Sequence, residues 1–178
     1  SITTQELATS KVELNIDKAK YFSFKVDDIL KAQADIDLIE KASSDASEGM
    51  RIAVETDVLA GVVTGATTIG AQTTITASNI LANILGMSTS LDNLNVPEEG
   101  RYIVLTPAQI SLLKQSELRQ AYLTGDSTSP LRNGKVGMID RFTVYQSNML
   151  YTASSGLDDG YTHVLAGHPK AISFASQF

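Results

Sequence analysis

The most constraining feature of the sequence is a strand that runs directly into a helix start. Arg101-Tyr102-Ile103-Val104-Leu105 is a strand of the buried type, preceded by the turn Glu98-Glu99-Gly100. Thr106-Pro107 follows at once. Threonine caps a helix, and proline suits the first helical turn, where its missing N–H costs nothing. Ile110, Leu112, Leu113 and Leu118 continue that helix. After a polar loop from Thr124 to Pro130, Asn133-Gly134 marks a turn. Lys135 to Ile139 and Phe142 to Gln146 then read as two strands joined at Asp140-Arg141. The stretch from Glu99 to Leu150 thus specifies a strand–helix–hairpin unit, and by itself it carries no chemistry.

Upstream, Val12, Leu14 and Ile16 alternate with polar residues as a one-sided strand does, and Tyr21 to Val26 reads as a second strand after the turn-like Asp17-Lys18. The two would form a hairpin or the stem of a projecting loop. Asp27 or Asp28 then caps a long helix whose apolar stripe runs through Ile29, Ala32, Ile36, Ile39, Ala42, Ala46, Met50 and Ala53. Gly49 is a possible break, with Asp45 and Glu48 able to cap a second helix. The Gly/Thr-rich stretch from Gly61 to Thr76 is the best domain boundary. A further amphipathic helix carries Ala77, Ile80, Leu81, Ile84, Leu85, Leu91 and Leu94, with Thr76 as cap and Pro97 as stop. Downstream of the hairpin, a loop from Ser154 to Gly160 leads to a strand from Tyr161 to Ala166, and Ala171 to Phe178 alternates like one more.

Charge is concentrated. Of 20 acidic residues, nine lie between Asp27 and Asp57 beside three bases, so the whole net charge of −6 sits on one segment. Such a surface repels phosphate, which argues against a nucleic-acid reader. With 43% apolar and 19% charged residues the chain can fold around a core. It contains no cysteine, which excludes disulfides, thiolate nucleophiles and zinc–thiolate sites. No apolar run approaches the ~20 residues that span a bilayer, and no export signal opens the chain. It begins at Ser1 in mid-pattern and is read as a processed or trimmed product.

Catalytic patterns are missing from the sequence. His163 and His168 are not spaced for a shared metal on one helix face, and no serine lies in a Gly-x-Ser-x-Gly elbow. Gly61, Gly65 and Gly70 lack the dinucleotide-binding spacing, and Gly134-Lys135 lacks the flanking residues of a phosphate loop. Asp35 and Asp37 diverge on a helix and cannot pinch one cation with Glu40, while Leu157-Asp158-Asp159-Gly160 reads as a turn. No catalytic, cofactor-binding or metal-binding residue is assigned, and no cofactor is expected.

Three stretches carry a family resemblance. Pro97 to Pro107, Asn133 to Asn148 (with Gly137-Met138-Ile139 and Phe142-Thr143-Val144-Tyr145-Gln146-Ser147-Asn148), and Ala166-Gly167-His168-Pro169-Lys170-Ala171-Ile172-Ser173-Phe174-Ala175 occur in order. Together they resemble major capsid proteins of tailed double-stranded DNA bacteriophages. Where that family has glycine before the aromatic strand, this chain has Asp140-Arg141, and aspartate tolerates left-handed backbone.

The resemblance implies an α+β fold: a mixed central sheet flanked by helices in an axial domain, plus a long spine helix from a peripheral domain. On that plan residues 1–26 are a remnant of an extended loop and 27–63 the spine helix. Residues 64–170 form the axial domain, and 171–178 begin a peripheral strand. The implied function is structural: self-assembly into homopentamers and homohexamers of an icosahedral shell around DNA. Scaffolding or other capsid proteins are further implied partners, and the implied location is the virion, assembled in the host cytoplasm. Neither a membrane nor sequence-specific nucleic-acid binding enters this plan. A bacterial nanocompartment shell protein of the same fold is the alternative. An α/β enzyme assembled from scattered Ser, Asp and His163 or His168 has no motif behind it. The loop from Thr124 to Arg132 is expected to face a neighbour or a ring axis.

Overall fold

The computed structural model describes residues 13–23, 25, 38–67, 73–116, 137–156 and 159–176. In chain order these hold α1 (Leu38–Gly65), α2 (Ile80–Asn93), β1 (Tyr102–Leu105), α3 (Pro107–Gln115), β2 (Met138–Ile139), β3 (Phe142–Gln146), β4 (Leu165–Gly167) and a 3₁₀ turn, Pro169–Ala171. The strands form one sheet in the order β2-β3-β1-β4. β1 runs parallel to β3, with Tyr102 opposite Thr143 and Leu105 opposite Gln146. It runs antiparallel to β4, and β2 is antiparallel to β3. The fold is α+β with a mixed sheet, as the resemblance implied.

β1 is an inner strand, and its alternation decides the core. Ile103 and Leu105 are buried against Ile80, Ile84 and Leu91 of α2, Ile110 and Leu113 of α3, and Ile139 and Phe142 of the hairpin. Each such side chain contributes roughly 1.5–3 kcal/mol by leaving water. Local signals end the helices that deliver these residues. Asn95 adopts φ 54, so that its N–H bonds Asp92 O and the N–H of Val96 bonds Leu91 O. This Schellman closure ends α2 before Pro97 can act. At α3 the Thr106 hydroxyl accepts from the Gln109 N–H, and the Gln109 side chain accepts from the Thr106 N–H, completing a capping box. At the start of α2 the Thr76 hydroxyl meets Ser78 instead of a backbone amide. The Thr76 carbonyl accepts from the Ile80 N–H, and Asn79 Oδ1 accepts from the Thr76 N–H.

Several expectations are corrected. α1 runs unbroken through Gly49 for 28 residues. One glycine costs about 1 kcal/mol in a helix, and Glu48, instead of serving a cap, pairs with Arg51 at 2.6 Å. The helix also continues to Gly65, into the stretch read as a linker. No strand forms over residues 13–23. A strand needs a partner edge, and this segment instead places Lys18 and Lys20 within 3.9 and 3.2 Å of Asp57 on α1.

The strand read from Tyr161 to Ala166 is shorter and shifted. β1 offers only Tyr102 to Val104 for pairing, so β4 is Leu165–Gly167 and Thr162 makes a lone bridge to Thr152. Residues 172–176 form no strand beyond the 3₁₀ turn, although the outer edges of β2 and β4 carry no described partner. The helix start at Asp27 or Asp28, the residues Asp35 and Asp37, Leu118, the loop from Thr124 to Arg132 and Asn133 to Val136 lie outside the described residues.

Candidate functional site

The three stretches singled out in the sequence meet at the ends of β1. At its N-terminal end Gly100 takes φ +83, and a Cβ there would meet His168 at 3.7 Å. The His168 ring is fixed at both nitrogens. Nδ1 accepts from the Lys170 N–H at 3.1 Å, so Nε2 carries the hydrogen and donates to Glu99 O at 3.0 Å. Gly167 lies opposite Tyr102, whose phenol would stand 3.3 Å from a Cβ at that position. The Gly-Arg turn and the Gly-His turn are thus two halves of one corner.

Arg101 is the buried charge of this corner, with a side chain wholly out of solvent. Its Nε and Nη2 donate to the carbonyls of Pro97 at 2.9 Å and Val96 at 2.5 Å. Nη1 lies 2.8 Å from Asp92 Oδ1 but is not aligned on it as a hydrogen bond, so that pairing is ionic. Arg141 grips the same carboxylate with both Nη atoms, at 3.1 and 2.7 Å, and reaches Glu98 at 2.9 Å. The Arg101 guanidinium, followed by that of Arg141, holds the Asp92 carboxyl below the usual carboxylate range. The neighbouring Asp140 adopts φ 52, and its carboxylate accepts from the buried Ser88 hydroxyl at 2.5 Å. The hairpin turn that departs from the family's glycine is therefore held from outside by α2.

At the C-terminal end of β3, Ser147 donates to Glu55 of α1 at 2.5 Å and accepts from the Met149 N–H at 3.0 Å. Sequence reasoning missed both this contact and the Ser88–Asp92–Arg101–Arg141 cluster. The available signal was Arg101 itself, a cation at the start of a buried strand, since such a group requires a partner.

What the arrangement offers is attachment. His163 stacks against Tyr151 with ring centres 5.7 Å apart, while His168 is bound to Glu99, so the two histidines serve separate local contacts. Among the described residues no three His, Cys, Asp or Glu side chains gather as a metal would require. No described helix is long and apolar enough to cross a membrane. Ser88 contacts Asp140 and Arg141 and has no imidazole to serve as a base.

Comparison with known proteins matches this architecture to one class. The phage capsid protein family matches residues 10–176. A chain from Mycobacterium phage Che8 is 25% identical, with a TM-score of 0.68 over 82% of this chain and 52% of its own. The capsid structure of cyanophage P-SCSP1u, at 14% identity, has a TM-score of 0.60 over 86% of this chain and 61% of its own. The second likeness concerns the fold alone. No curated protein matches the sequence. The chain spans roughly half to three-fifths of the length of these two structures. It belongs to the phage capsid protein family, whose members are structural proteins and not enzymes.

Proposed function

We propose that the chain is part of a major capsid subunit that assembles with its own copies into pentamers and hexamers of an icosahedral shell. The family match over residues 10–176 carries this reading. On it, residues 27–63 are the spine of a peripheral domain and 64–170 the axial domain. Scaffolding proteins are the further partners, assembly takes place in the host cytoplasm, and the shell becomes part of the virion.

The physics of α1 and the segment before it supports the reading. Ile39, Ile52 and Val54 on α1 and Leu14, Ile16, Tyr21 and Phe22 on residues 13–23 are exposed. Apolar surface of that extent suits contact with neighbours. The acidic segment suits a container that holds DNA without adhering to it.

The test is negative-stain microscopy of the protein expressed from its complete reading frame with its scaffolding partner. Polyhedral shells or flat hexamers are expected, and filled particles distinguish a genome container from a nanocompartment. A protein that stays strictly monomeric at high concentration contradicts the proposal.

A further inference from the structure

α1 is placed against the sheet by something other than the main core. No residue of α1 belongs to the apolar cluster around Ile103 and Phe142. The described side chains of α1 are at most half-buried, Val58, Leu59 and Val62 among them, so polar contacts share in fixing its inclination. Ser147, by contrast, is held from several sides. Its N–H bonds Leu105 O at 3.0 Å, which locks it to the end of β1. Its hydroxyl oxygen accepts from the Met149 N–H, and the hydroxyl hydrogen is directed at Glu55 Oε1. Ser147 is buried and Glu55 half-buried. A hydroxyl–carboxylate bond in such a place is of the strong, charge-assisted kind.

We propose that Ser147 is a positioning residue: through Glu55 it pins the middle of α1 to the end of β3 and sets the inclination of the helix against the sheet. This gives a physical task to the serine of the Ser-Asn that closes the aromatic-strand motif. The simpler role, a serine that only satisfies the Met149 amide, makes a different prediction for Glu55. In that case Glu55 would be an ordinary solvated carboxylate, and its removal would leave the helix where it is.

The chain has no cysteine, so Ser44→Cys on α1 and Thr89→Cys on α2 give two unique spin-label sites on exposed residues. Pulsed electron paramagnetic resonance on the unassembled subunit then reads the distance between them. A narrow distribution is expected for the parent and for Glu55→Gln, which keeps an acceptor oxygen. Glu55→Ala and Ser147→Ala are expected to broaden or shift the distribution. Alanine is the best helix former, so broadening in Glu55→Ala cannot come from a weaker α1.

A Glu55→Ala distribution superimposable on the parent's overturns the proposal. So does broadening of equal size in Glu55→Gln, which assigns the effect to charge beside Arg51 and not to the hydrogen bond. Should Ser147→Ala fail to fold, the two Glu55 variants decide alone. The measurement needs no shell and is independent of the assembly reading.

Discussion

The sheet unit and α1 solve the same problem, burying apolar surface, in opposite ways. The sheet unit buries some of it internally: Ile103, Leu113 and Phe142 are at 0% exposure, and Arg101, the one wholly buried charge among the described residues, is paired with Asp92 and two carbonyls. α1 carries an equally regular apolar pattern but leaves Ile39, Ile52 and Val54 exposed. Its polar contacts include Lys18 and Lys20 at Asp57 and Ser147 at Glu55. Regular patterning therefore says that a face will be covered, and only the count of partners says by what. Here the sheet unit has an interior of its own, though Leu85, Leu94, Met138 and Tyr145 stay exposed on it, whereas no described side chain of α1 is buried.

That contrast can be broken first at the core. Phe142→Ala should lower the stability of the sheet unit by roughly 3–5 kcal/mol, the usual range for deleting a buried ring, and urea unfolding followed through the tyrosines checks it. A loss below ~1 kcal/mol would mean that the core is not where the contacts place it.

Arg101→Met comes next. It keeps the stem volume but leaves the Val96 and Pro97 carbonyls without their donor and Asp92 with Arg141 alone. The cost should be roughly 2–3 kcal/mol, below the full penalty of a broken buried pair because Asp92 remains partly in water. The pH profile sharpens this. The Asp92 carboxyl is held low in the folded state, chiefly by Arg101. Its contribution is present above the ordinary carboxylate range and is lost as pH falls through the lowered folded value. Arg101→Met should flatten that acid limb, as read from unfolding midpoints between neutral and acid pH.

The smallest effect tests the other region. A Cβ at Gly49 would meet nothing within 4 Å. Gly49→Ala should therefore stabilise α1 by about 0.5–1 kcal/mol, seen as slower amide exchange within the helix. The sheet unit's midpoint should not move. If it does, the two regions unfold as one body and the contrast between them fails.

The parts legible in the sequence were those written locally. The helix start at Thr106-Pro107, the buried strand before it and the two-residue turn at Asp140-Arg141 each act within a few residues. The fold class came from the order of the family stretches, whereas the meeting of the Gly-Arg and Gly-His turns is seen only in the structure. What escaped depends on partners far along the chain. Asp92 and Arg141 are 49 residues apart, and Ser147 and Glu55 are 92 apart. No strand forms over residues 13–16 or 172–176 either. Alternation supplies a face but does not bring a strand to an edge, and the outer edges of β2 and β4 carry no described partner. Of the two readings at Gly49, the continuous helix is the one formed, since a cost of about 1 kcal/mol is small beside 28 residues of helix.

Hydrogen exchange of free subunits against assembled shells tests the central claim most directly. β1 and α3 should exchange slowly in both states, whereas amides of α1 should exchange fast in the subunit and become protected in the shell. Equal protection of α1 in the two states would contradict the account, because the helix would then have no surface left for neighbours to cover.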